Sequence, residues 1–156
     1  MPTLYIETSI VSYLRARPSN SVVSAARQVL TRRWWDLERQ HYDLVTSQFV
    51  LDEAAVGDPT QAAERLRALD GIALLDITPD VARIAGELLS RAVLPPKARL
   101  DAFHIATVAF HEVDYLLTWN CKHIANARIL PRIRDTLEHL NLPVPEICTP
   151  EEMVDD

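Results

Sequence analysis

Short apolar runs alternate with longer stretches of helical periodicity along the whole chain. This is the pattern of strands buried on both faces and separated by amphipathic helices. Leu4-Tyr5-Ile6 reads as the first strand, and Thr8-Ser9 supplies hydroxyls to start a short helix through Leu14. Pro18-Ser19-Asn20-Ser21 is a turn with a capping residue; Val22, Ala26, Val29, Leu30, Trp34 and Leu37 then recur near 3.6-residue spacing in a helix from Val22 to Gln40. Tyr42 to Thr46 predicts a second strand, and Ser47 a cap on a helix that carries Glu53 and stops at Gly57-Asp58-Pro59. An alanine-rich helix over 60–69 and a strand from Ile72 to Ile77 follow, then a helix opened by Thr78-Pro79-Asp80 and running to about Ala92. Leu94-Pro95-Pro96 breaks the chain. Residues 98–111 resume as helix, Tyr115 to Thr118 as strand and 124–140 as helix; a last strand lies near Ile147, and Pro150-Glu151-Glu152 opens a terminal helical turn.

This alternation implies an α/β fold with a central, mostly parallel sheet covered on both faces. At 156 residues, with no internal repeat or long linker, the expectation is a single domain burying roughly two thirds of its unfolded surface. Ligands of such sheets bind outside the carboxyl ends of the strands, where the strand order reverses. Glu7 directly follows the first strand and Asn120 follows the Tyr115–Thr118 strand by two residues, so both belong to one rim.

Apolar residues at 48% and charged residues at 24% exclude a disordered chain. Met1-Pro2-Thr3 has no basic region and Glu7 interrupts the first apolar stretch, so no signal peptide is predicted. No window approaches the ~20 apolar residues of a membrane span, and the expected location is cytoplasmic. Cys121 and Cys148 are expected as free thiols, and a Cys121-x-His123 pair supplies two zinc ligands with no partner pair following. The net charge of -6 argues against broad nucleic-acid binding. Residues 1–39, however, carry Arg15, Arg17, Arg27, Arg32, Arg33 and Arg39 against Glu7, Asp36 and Glu38. That segment is either a solvated face or a basic rim guiding a polyanion, or an acidic partner, toward an acidic centre.

The acidic centre is the chemistry-bearing feature. Glu7, Glu53 and Asp101 each sit beside an apolar element, and three carboxylates so placed suit a hard divalent cation with oxygen ligands. Metal-assisted phosphodiester hydrolysis is the reaction they point to. Each also has a bland role: Glu7 as a helix cap or arginine partner, Asp101 as a cap, and Glu53 as one of two adjacent acids of which only one can face a site. Thr8, Ser9 and Thr118 are candidates to orient the carboxylates through their hydroxyls. His104, three residues past Asp101, reads as a packing residue before a base, while Lys122 and His123 are within reach of a phosphate. No serine or cysteine has a base and an orienting acid arranged around it. Grouped carboxylates repel, so raised pKa values are expected.

Tyr5-Ile6-Glu7-Thr8-Ser9-Ile10, Val50-Leu51-Asp52-Glu53, Asp101-Ala102-Phe103-His104-Ile105-Ala106 and Leu117-Thr118-Trp119-Asn120 resemble the ordered motifs of PIN-domain nucleases, in particular the VapC-type toxins of toxin–antitoxin pairs. The resemblance spans about residues 3 to 150 and implies a three-layer α/β/α fold, one PIN-like nuclease domain over 1–150 and a tail over 151–156. It also implies endoribonuclease activity with Mg²⁺ or Mn²⁺, a homodimer and a cognate antitoxin protein. The family's acids align with Glu7, Glu53, Asp101 and Asn120, which the resemblance makes the catalytic and metal-holding set. Two positions depart from the pattern. Glu7 is a methylene longer than the usual aspartate, and Asn120 offers a neutral amide where a charge is usual, so reduced activity is expected and the competing reading is a catalytically weak or inactive PIN-like module that binds RNA or protein. The residues alone would also allow DNA, but no insertion is long enough for a DNA-threading arch. The Trp34–Trp35 region is one candidate dimer surface.

Overall fold

The computed structural model describes residues 1–91 and 93–155. Five strands form one sheet: β1 (Thr3–Ile6), β2 (Asp43–Ser47), β3 (Ala73–Leu75), β4 (Tyr115–Leu117) and β5 (Glu146–Cys148), in the order β3-β2-β1-β4-β5. Every pairing is parallel, so the sheet is more regular than the mostly parallel one expected. β1 is central, in register with β2 at Leu4↔Leu44 and with β4 at Ile6↔Leu117. Covered on both sides, its Leu4, Tyr5 and Ile6 are fully buried, which is why this strand reads as an unbroken apolar run.

Seven α-helices flank the sheet: α1 (Thr8–Arg15), α2 (Val22–Leu37), α3 (Gln48–Ala54), α4 (Pro59–Ala68), α5 (Pro79–Ser90), α6 (Arg99–Phe110) and α7 (Leu130–His139). α1 packs against α2, α3 and α4, while α5 packs against α6 and α7, the two helical layers that right-handed crossovers produce. Local chemistry sets their starts. Ser21, Asp58 and Thr78 each accept a backbone N–H of the first turn, and Pro59 and Pro79 occupy that turn. Among the described residues no helix is long and apolar enough to cross a membrane.

Several expectations change in detail. The apolar stripe of α2 faces the core only in part: Trp34 is buried and Leu30 packs against the core, but Val22 and Leu37 are 85% and 58% exposed, while Gln28, Thr31 and Trp35, off the stripe, are buried. Hydrogen bonds explain the polar burial, because Trp119 donates its indole N–H to Thr31 at 2.7 Å and the Gln28 amide donates to the Arg17 carbonyl at 2.8 Å. Polar groups satisfied in this way can be buried at little cost. Trp34 and Trp35 are therefore core residues of one chain, the Trp34 ring tilted against those of Trp35 and Tyr42, and their side chains are not an exposed surface for a dimer. α7 begins at Leu130, not 124, because the Asn120 carbonyl takes the N–H groups of Ile124 and Ala125 in a turn and Pro131 then opens the helix. Ser47 precedes α3 without capping it. The predicted end of α5 at Ala92 lies outside the described residues, as does Asp156 of the tail.

Leu116, on β4 at the centre of this core, is fully buried. Replacing Leu116 with Ala is expected to cost about 2–5 kcal/mol in urea unfolding, whereas Leu37→Ala, on the exposed face of α2, is expected to change stability by less than about 0.5 kcal/mol.

Candidate active site

The carboxyl ends of β1, β2 and β4 lie side by side, and β1 is where the strand order turns from β2 and β3 toward β4 and β5. Glu7 follows β1 directly. Its backbone N–H continues the ladder to the Leu117 carbonyl at 3.3 Å, and its side chain caps α1 by accepting the Ser9 N–H at 3.1 Å. The same oxygen, Oε1, accepts the hydroxyls of Ser9 and of Thr118, the latter at 2.6 Å. The capping role and the place at the rim thus coincide in one residue. Trp119 donates its backbone N–H to the Ser9 hydroxyl at 2.7 Å, tying the segment after β4 to the same carboxylate.

Glu53 reaches the rim from α3. Its Oε1 accepts the Thr8 hydroxyl at 2.8 Å and lies 2.7 Å from His104 Nε2. Asp52 instead pairs with Gln48 on the exposed side of the helix, so Glu53 is the acid that faces the rim, as the choice between adjacent residues anticipated. Behind it stands a chain of polar contacts: His104 Nδ1 is 2.7 Å from the Tyr5 hydroxyl, which is 2.7 Å from the Ser47 hydroxyl. Ser47 is uncapped because its hydroxyl is used here.

His104 is fully buried. Burial alone would lower its pKa, but the hydrogen bond to Glu53 and the charges of Glu7, Glu53 and Asp101 raise it. Burial pushes Glu53 up, yet the His104 bond and charge and the Thr8 bond outweigh it and hold Glu53 below its ordinary value. For Glu53 this corrects the expectation of a raised pKa: the bond and charge of His104, with the Thr8 bond, outweigh the effect of burial. With both ring nitrogens engaged and no exposed edge, His104 is a buttress and not a base open to substrate. Tyr5 is pushed up by burial, so its phenol stays protonated.

Asp101 and Asn120 form a second group. Asp101, in the first turn of α6, accepts the Asn120 amide at 2.9 Å on Oδ1 and contacts His123 Nδ1 at 3.1 Å through Oδ2. The Asn120 carbonyl oxygen accepts the backbone N–H groups of Lys122 at 3.3 Å and His123 at 3.0 Å. Asn120 therefore meets Asp101 as a donor. Tyr5 and Ser47, which reach Glu53 only through His104, are residues the sequence did not single out; the only signal for them was the position of Tyr5 two residues before Glu7.

The donor chemistry suits a cation. Ligand atoms of Glu7, Glu53 and His104 lie within 4.8 Å of one another, a group that does not include the expected Asp101, and with both His104 nitrogens engaged the two glutamates are its free donors. Among the described residues, the side chains of Glu7 and Glu53 make every hydrogen bond through Oε1, leaving Oε2 of each for a hard divalent ion. Cys121 and Cys148 are free thiols, with Cys148 buried and pushed up to about 12 by burial. No zinc cluster includes Cys121 and His123 among the described residues.

Solved structures of the VapBC proteins share this architecture. VapBC2 from Rickettsia felis, crystallised with a DNA fragment from their promoter, superposes with a TM-score of 0.57 at 15% identity over 94% of this chain and 98% of that one. VapBC-1 from nontypeable Haemophilus influenzae gives 0.57 at 14% identity over 96% of this chain and 98% of that one. The fold is PIN-like. No protein-family model and no curated protein matches the sequence, so the PIN-like architecture is carried by backbone course over nearly the whole chain.

The sign of the two shifts fixes a pH dependence. A raised His104 contributes stability that is fully present below its unfolded value near 6.5 and is lost as pH rises through the folded value. A lowered Glu53 contributes stability that is present above its unfolded value near 4.5 and is lost as pH falls through the folded one. Replacing His104 with Gln is thus expected to destabilise by at least about 2 kcal/mol between those two values and by progressively less in alkaline buffer, measured by urea unfolding across pH.

Proposed function

We propose that this protein is a metal-dependent endoribonuclease and the toxin of a toxin–antitoxin pair. What supports the reading is the placement of Glu7 and Glu53 together at the switch point of a PIN-like sheet, each with one oxygen left free, and of Asp101 in the first turn of α6, bonded to Asn120 after β4. Glu7, Glu53 and Asp101 would hold Mg²⁺ or Mn²⁺. A bound ion of this kind supplies Lewis-acid stabilisation of phosphoryl charge and activates water.

The chain's own groups do the rest. Ser9 and Thr118 hold Glu7 in one rotamer, and Thr8 and His104 do the same for Glu53, so the carboxylates need no reorganisation when a phosphate arrives. Asn120 orients Asp101 through its amide, the task left to it once it carries no charge. His123, bonded to Asp101, and Lys122 beside it are the proposed contacts to a phosphate. RNA as substrate, a cognate antitoxin, a homodimer and a cytoplasmic location follow from the resemblance to VapC-type toxins and form part of the proposal.

One observation favours a second reading, an inactive PIN-like module that binds RNA or protein. Asp101 has both oxygens engaged, by Asn120 and His123, where the family pattern has a fourth acid.

Purified protein incubated with single-stranded and structured RNA in Mg²⁺ or Mn²⁺ decides between the readings. Asp101→Asn and Glu7→Gln are each expected to lower the cleavage rate by at least about 100-fold. A wild-type chain that neither cuts RNA nor binds Mn²⁺ would replace the enzyme with the binding module.

A further inference from the structure

Arg27 on α2 is a half-buried cation without an acid. Its guanidinium lies 5.1 Å from the Trp119 ring and 5.8 Å from the Tyr13 ring, with Nη1 donating to the Tyr13 hydroxyl at 3.3 Å and Nη2 3.9 Å from Cys121 Sγ. Among the described residues no carboxylate pairs with it, whereas Arg67, Arg83 and Arg91 each have one. Two rings that themselves pack edge to face hold it in place. A fixed, planar guanidinium lacking a counter-ion is suited to a phosphate. Its position is specific: Trp119 beneath it donates to the Ser9 hydroxyl that holds Glu7, and Cys121 follows Asn120.

From Tyr13 a cleft of about 400 Å³ runs between α1 and α2, lined by Ser12, Tyr13, Ala16, Arg17 and Ser24. The volume falls in the range of about 300–1,000 Å³ typical of small-ligand pockets. Its lining combines an aromatic ring, hydroxyls, the Gln28 amide and Arg17; Arg27 adjoins it through Tyr13. Arg17 is largely exposed, and its pair with Asp58 is loose at 3.9 Å. The apolar positions that a protein helix would seek, Val22, Val29 and Leu37, are exposed on a different face of α2.

We propose that Arg27 and the α1–α2 cleft form a nucleotide subsite, in which Arg27 binds a backbone phosphate neighbouring the one at the carboxylate rim and the cleft receives an unstacked base beside Tyr13. The ligand is a single nucleic-acid strand, because a base inside a duplex cannot enter the cleft. The inference rests on the nuclease reading and names the path of its substrate.

The test is binding of a short fluorescent single-stranded RNA in an Asp101→Asn background, read by anisotropy over a salt series, with Arg27→Gln, Arg27→Lys and Arg17→Gln compared. Arg27→Gln is expected to weaken binding about 10-fold and to reduce the slope of log affinity against log salt by about 0.7, the contribution of one single-strand phosphate. Arg27→Lys should keep the slope with weaker binding, and Arg17→Gln should lose roughly 2–3-fold. If melting shows that Arg27→Gln fails to fold, Arg17→Gln decides alone, since its side chain is exposed. Unchanged affinity and slope in the folded variants, while the chain with Asp101 intact still cuts RNA, would overturn the subsite and leave the nuclease standing. Loss of binding to a Glu-rich helical peptide with RNA affinity untouched would overturn it in favour of protein docking. A parent chain that neither binds nor cuts RNA would remove the nuclease reading and the subsite together.

Discussion

Gathering like charges at the edge of a hydrophobic core is costly, and the surroundings of the rim are arranged to offset that cost. An isolated carboxylate taken out of water would take up a proton instead of staying charged. Glu7 accepts three donors on one oxygen, all from residues adjoining β1 and β4. Glu53 avoids protonation through Thr8 and the buried imidazole of His104. The positive partner is internal to the fold, supplied by α6 and backed by Tyr5 and Ser47 from the sheet. Much of what would otherwise be apolar core between α3, α6 and β1 is therefore a hydrogen-bonded chain.

That chain also divides the rim. Glu7 and Glu53 each present one bonded and one free oxygen, while Asp101 is held on both sides by Asn120 and His123. The substitution of amide for acid at 120 thus changes how its neighbour is oriented more than it changes the number of ligands. An amide can donate to a carboxylate where a second carboxylate would repel it.

Fold class, the place of Glu7 at the end of β1 and the turning of Glu53 rather than Asp52 toward the rim were legible because each depends on local pattern: an apolar run followed by an acid, and a helix with one acid turned inward. The face presented by α2 was not. Its exposed stripe of Val22, Val29 and Leu37 has the right period, but the buried side is set by hydrogen bonds from Trp119 to Thr31 and from Gln28 to Arg17, partners 88 and 11 residues away in the chain. The role of His104 was hidden for a similar reason. Its position on the helix face was readable, but its partners Tyr5 and Glu53 come from other elements 99 and 51 residues away. Helical periodicity reports which side of a helix is apolar, and it is silent where polar side chains satisfy one another across elements.

Glu7 has no linker on either side: its amide belongs to the sheet ladder and its carboxylate to the first turn of α1. Strand pairing, helix initiation and placement of this acid are consequently one event in folding, and the rim does not exist as a feature added to a finished scaffold. Selection acting on the site and selection acting on foldability therefore meet at a single side chain. This gives a physical reason for an acid of any length to persist there even in a chain whose chemistry had drifted.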